Sequence, residues 1–77
     1  MNINESDIQL VLEEVLNLGL DKTKEIKVLA QKIIDMSITC NSNKYLANAH
    51  NFLGNVYWQE SNYEKAKEHY EIQKNFT

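Results

Sequence analysis

The segment from Ala47 to Phe76 constrains this chain more than any other. It holds two apolar-striped stretches separated only by the polar break Glu60-Ser61-Asn62. Both stretches repeat at helical spacing, so the break predicts a tight hairpin of two antiparallel helices. Gly54 and Ala66 fall near the middle of the two stretches. A glycine inside a helix costs roughly 1 kcal/mol relative to alanine. It is expected where a neighbouring helix must come close, and Ala66 offers the matching shallow surface. Leu53, Tyr57, Tyr63 and Tyr70 read as the ridge residues that interlock around this pair.

The rest of the chain reads in the same period. Met1 to Glu5 is expected to fray. Ser6-Asp7-Ile8-Gln9 reads as a capping box, and Ile8, Val11, Leu12, Val15, Leu16 and Leu18 form the stripe behind it. Gly19 is placed to close this first helix in a left-handed conformation. Asp21 is the expected cap of a second helix, with Ile26, Leu29, Ala30, Ile33, Ile34 and Met36 on its stripe and its end near Thr39. The β-branched residues Ile33, Ile34, Ile38 and Thr39 admit a strand there, but the 3.6-residue period favours helix. A third helix is predicted from Lys44 to Gln59, with too many apolar residues for one stripe, as in a helix contacted on two sides. Ser61-Asn62-Tyr63-Glu64 reads as a second capping box, opening a fourth helix from Tyr63 to Asn75.

Composition narrows the function classes. The 77 residues make one domain, 1–77, and a chain of this size buries only about 60–65% of its unfolded surface. Net charge is −3, and all eight basic residues are lysines dispersed among acids. Nucleic-acid binding, which needs a basic face, is not expected. The single cysteine, Cys40, allows no internal disulfide and fits a reducing cytoplasm. The polar, acidic opening lacks the form of a signal peptide, and no apolar run approaches the roughly 20 residues that span a bilayer. Cys40, His50 and His69 have none of the usual zinc spacings. Neither a metal nor a cofactor is implied, and no catalytic constellation is present, so the chain is not expected to be an enzyme.

Leu53-Gly54-x-x-Tyr57 followed by Tyr63-x-x-Ala66-x-x-x-Tyr70 resembles one tetratricopeptide repeat, a helix–turn–helix of 34 residues. His50 stands where that family often has tryptophan, and Gln73 where it often has a second small residue. The resemblance covers 44–76. Helices in 6–40 can be read as a diverged hairpin of the same kind, joined by a linker longer than the family period. The expected fold is all-α: four antiparallel helices forming two stacked helical hairpins. Two hairpins leave an uncovered apolar end, which predicts self-association as a homodimer or membership of a longer array.

The resemblance also implies a site. In that family the first helix of each pair lines a concave groove. The corresponding face here carries Asn48, Asn51, Phe52, Asn55, Trp58 and Gln59. An asparagine amide offers two donors and an acceptor, so a ladder of them can hold the backbone of an extended peptide. The implied function is non-catalytic binding of a peptide or protein, in the style of bacterial peptide-responsive regulators. Set against it are a solvated, asparagine-rich face and an oligomerisation module whose groove is closed by its own copy. Gly54-Asn55 also resembles the pair in carboxylate-clamp repeats, but the clamp's lysine and arginine are missing. Trp58 reads more readily as core packing between repeats than as a groove anchor. His50 reads as a filler of a core aromatic slot, and His69 as a surface residue.

Overall fold

Four helices, α1 (Glu5–Asn17), α2 (Thr23–Thr39), α3 (Asn43–Gln59) and α4 (Tyr63–Asn75), make up the computed structural model, which describes residues 3–19 and 21–76. No strand occurs among the described residues, so the all-α expectation holds, including for the β-branched end of α2. At that end the two hydroxyls bond back one turn. Ser37 Oγ donates to Ile33 O at 2.6 Å and Thr39 Oγ1 to Asp35 O at 3.0 Å, a pattern compatible with a continuous helix.

Packing follows chain order: α1 on α2, α2 on α3, α3 on α4. A closed bundle would also pair α1 with α4, and no such packed pair is formed among the described residues. Helix α1 instead reaches α3 at the N-terminal end of both. Ser42 Oγ donates to Glu5 Oε2 at 2.9 Å, and Tyr45 OH to Gln9 Oε1 at 2.7 Å. Glu5 is thus held rather than frayed, and Gln9 serves a distant tyrosine rather than a local cap.

The core runs through the first three helices. Ile8, Val11, Leu12 and Val15 meet Ile26 and Ile33 of α2 and Tyr45, Ala49 and Val56 of α3. Ile8, Ala30, Ile33 and Ala49 are fully excluded from solvent. Leu16 departs from the predicted stripe and stands 64% exposed.

Two connections share one geometry. At the end of α2, Asn41 N–H donates to Ile38 O and Ser42 N–H to Ser37 O. At the end of α3, Ser61 N–H donates to Trp58 O and Asn62 N–H to Tyr57 O. These paired bonds are the Schellman motif, which needs a left-handed residue at its centre. Asn41 (φ 56°) and Ser61 (φ 63°) fill that place without glycine. The α2–α3 connection is therefore as short as the α3–α4 one, not a lengthened linker.

Several caps differ from the sequence reading. The capping box of α1 is Asn4 with Asp7, each side chain bonded to the other's backbone N–H. Asparagine caps as well as serine, and it stands two residues before Ser6. Gly19 is not left-handed; α1 ends instead with Leu18 in extended conformation. The N-cap of α2 is Lys22, which makes no side-chain cap bond, so Asp21 stands one position too early. At α4 the capping side chain is Asn62, which accepts from Lys65 N–H, because Ser61 is committed to the left-handed turn.

The α3–α4 contact has the predicted close approach, with a different partner. Gly54 is buried against the ring of Tyr70. A Cβ added there would lie 2.5 Å from Tyr70 Cε1 and 2.7 Å from Cδ1. Ala66 is only 1% exposed. Tyr63 is not a buried ridge: it is 55% exposed and meets Trp58 edge to face, with ring centroids 4.7 Å apart.

Candidate functional site: a carboxamide-lined groove

A groove of about 340 Å³ opens between the C-terminal halves of α1 and α3. Among the described residues, the side-chain hydrogen bonds that join the two helices lie at their N-terminal ends. Val15, Leu16 and Leu18 form one wall. Phe52 and Val56 of α3, with Ile26 of α2, supply further apolar lining. Asn51, Asn55 and Gln59 line the α3 side. They sit four residues apart, so their carboxamides rise along one stripe at about 6 Å per step. An extended peptide repeats every two residues at about 6.6 Å. Three successive carboxamides can therefore serve alternate residues of one extended segment, each offering donors and an acceptor.

Among the described residues, no charged side chain lines the groove. A carboxylate clamp needs cations at this place, so the geometry does not support that reading. Asn55 is also tied to α4, where its Oδ1 accepts from Tyr70 OH at 2.5 Å. This bond leaves the Nδ2 donors of Asn55 for a ligand and fixes the plane of its amide.

Four of the six residues singled out in the sequence, Asn51, Phe52, Asn55 and Gln59, meet in this groove. Asn48 is partly buried one turn earlier and does not line it. Trp58 belongs elsewhere. It is 60% exposed at the margin of the face and turns onto Tyr63 of α4. There it lines a separate shallow groove with Ala66, Tyr70 and Glu71. It is not a core residue and does not line the carboxamide groove; antiparallel packing across a short turn places Tyr63 beside it. The three lining residues from α1 lie outside the face drawn from the sequence. Leu16 reads there as core, although its place one turn beyond Leu12 also suits an apolar rim.

The opposite face of α3 is closed by a polar cluster. His50 Nδ1 lies 2.9 Å from His69 Nδ1. The two ring centroids are 5.2 Å apart and the planes 23° from parallel. The nitrogens are closer than the centroids by about one ring width, so the rings meet edge to edge and nearly coplanar, as an N–H···N hydrogen bond requires. Tyr57 stacks on His69, with planes 8° from parallel. Lys27 and Lys65 lie over the Tyr57 ring at 4.8 and 5.3 Å from its centroid. Lys27 also pairs with Glu60 at 2.8 Å. Both imidazoles are held below their ordinary pKa. For His50 the causes are burial and then the charge of His69. For His69 burial dominates, Glu68 opposes it and Lys65 adds to it. His69 is thus not a free surface residue. Reflection of the hairpin about Ser61 brings position 50 opposite 72, about one turn from 69, so the pairing itself is not legible in the sequence.

Among the described residues, no group of three or more histidine, cysteine or acidic side chains is arranged to hold a metal ion. Likewise, no described helix is long and apolar enough to cross a membrane. No family model, curated protein or solved structure matches this chain.

Proposed function

We propose that the chain is a non-catalytic, tetratricopeptide-repeat-like scaffold whose α1–α3 groove binds an extended, uncharged peptide segment. The observation that carries this reading is the alignment of Asn51, Asn55 and Gln59 along one apolar groove. The carboxamides would take the peptide backbone. Phe52, Val56, Val15 and Leu16 would take apolar side chains at alternate positions. The resemblance of 44–76 to a tetratricopeptide repeat supports the same reading, since it would put this face of α3 on the ligand side.

The test is selection from a random-peptide display library on the intact chain, followed by affinity measurement with the selected peptides. Asn51→Ala and Gln59→Ala are the informative variants, because Asn55 also bonds Tyr70. Each lost backbone hydrogen bond costs about 1 kcal/mol, which lowers affinity roughly 5-fold, with far-UV circular dichroism unchanged. Recovery of no saturable peptide, or equal affinity in both variants, would overturn the reading.

A further inference from the structure

The two histidines of the chain lie on different helices, yet their ring nitrogens face each other across the α3–α4 contact. We propose that His50 and His69 form a proton-operated latch between α3 and α4. The latch is closed while at least one of the facing Nδ1 atoms lacks a proton, and it opens when both carry one.

The chemistry follows from the edge-to-edge geometry. With both rings neutral, one Nδ1–H donates to the other Nδ1 at 2.9 Å. One added proton can be shared in the same line, since an imidazolium N–H still finds an acceptor. A second proton leaves two N–H groups pointing at each other with no acceptor between them, and two like charges in contact. The contact must then separate, and it lies on α4 beside Tyr70, the residue that packs over Gly54 and bonds Asn55.

The surroundings do not relieve the second charge. From α2 the cluster receives Lys27, which is held on the Tyr57 ring and by Glu60. From α3 it receives Tyr57, stacked on His69. From α4 it receives Lys65, whose charge opposes protonation, and Glu68, which favours it. One carboxylate near His69 is set against one lysine, while His50 gains none.

The sign is fixed by linkage. Both imidazoles take up protons less readily folded than unfolded. The unfolded chain therefore binds more protons as pH falls below about 6.5, and stability is lost on acidification. It is fully present above that pH. His50 and His69 are the only histidines, so few other side chains titrate in this window.

The experiment follows imidazole Cε1–H and backbone amide resonances of the intact chain from pH 7.5 to 5, with urea midpoints at both ends. The expected result is two separated imidazole steps, the second lying below the ordinary value. It should coincide with displaced amide signals across Tyr63–Asn75 and a lower urea midpoint. His69→Gln, which cannot take the second proton, should show a smaller fall in midpoint between pH 7.5 and 5 than the parent, the remainder coming from the burial of His50. Single ordinary imidazole titrations, with α4 signals and the wild-type midpoint unmoved, would overturn the proposal. The wild-type titration decides the matter even if the variant folds poorly.

Discussion

Replacing Gly54 with alanine tests the α3–α4 contact through a change of sign. On an exposed helix the substitution would stabilise by about 1 kcal/mol, the propensity difference between the two residues. Here the new methyl would sit 2.5 Å from Tyr70 Cε1 and 2.7 Å from Cδ1. Those distances are well inside van der Waals contact, so the ring must move. Its displacement disturbs the Tyr70–Asn55 hydrogen bond, and overpacking of this kind typically costs about 1–3 kcal/mol. Subtracting the propensity gain leaves a net loss of about 1 kcal/mol, a sizeable share of the roughly 4–12 kcal/mol expected for a chain of this length, at about 0.05–0.15 kcal/mol per residue. The control is the same substitution in a Tyr70→Ala background, where the obstacle is gone. There Gly54→Ala should stabilise by up to about 1 kcal/mol, giving a coupling energy of about 2 kcal/mol. Urea unfolding followed by far-UV circular dichroism on the four proteins measures it. A Gly54→Ala protein more stable than the parent, or an equal effect in both backgrounds, would refute the assigned contact.

Two further substitutions probe other parts of the frame. Ser61 is held at φ 63°, a conformation costing a non-glycine residue about 1–2 kcal/mol; Ser61→Gly should raise stability by up to about 1 kcal/mol after the entropy of glycine is counted, read as a higher urea midpoint with unchanged slope. Tyr45 is 5% exposed and its hydroxyl donates to Gln9; Tyr45→Phe should cost about 1 kcal/mol in the same assay and weaken amide protection in α1 more than in α4.

The helices are legible in the sequence because their period is strong and long. The hairpin at Ser61 and the bounds of α4 follow directly from the polar break and from Tyr63 onward. Cap residues are less legible, since Asn4 and Ser6 are both good caps and only the packing of Glu5 against Ser42 separates them. Gly19 misleads for a related reason: glycine permits a left-handed end but does not compel one, and Leu18 takes an extended conformation instead. The groove is half visible. A face of α3 can be drawn from its own spacing, which gives Asn51, Phe52, Asn55 and Gln59. The α1 wall cannot, because it depends on where α1 is pinned to α3, through contacts more than thirty residues apart in sequence. Trp58 and the histidine pair lie beyond reach for the same reason, since each is placed by α4 rather than by its own helix.

The most direct test is the side-chain amide spectrum of the ¹⁵N-labelled chain during titration with a selected uncharged peptide. The carboxamide signals of Asn51, Asn55 and Gln59 should shift together and saturate at one stoichiometry, with methyl shifts at Val15, Leu16 and Val56 and none around His50 and Tyr57. Binding that moves Trp58 and Tyr63 instead, or leaves the three carboxamides in place, would contradict a peptide site in the α1–α3 groove.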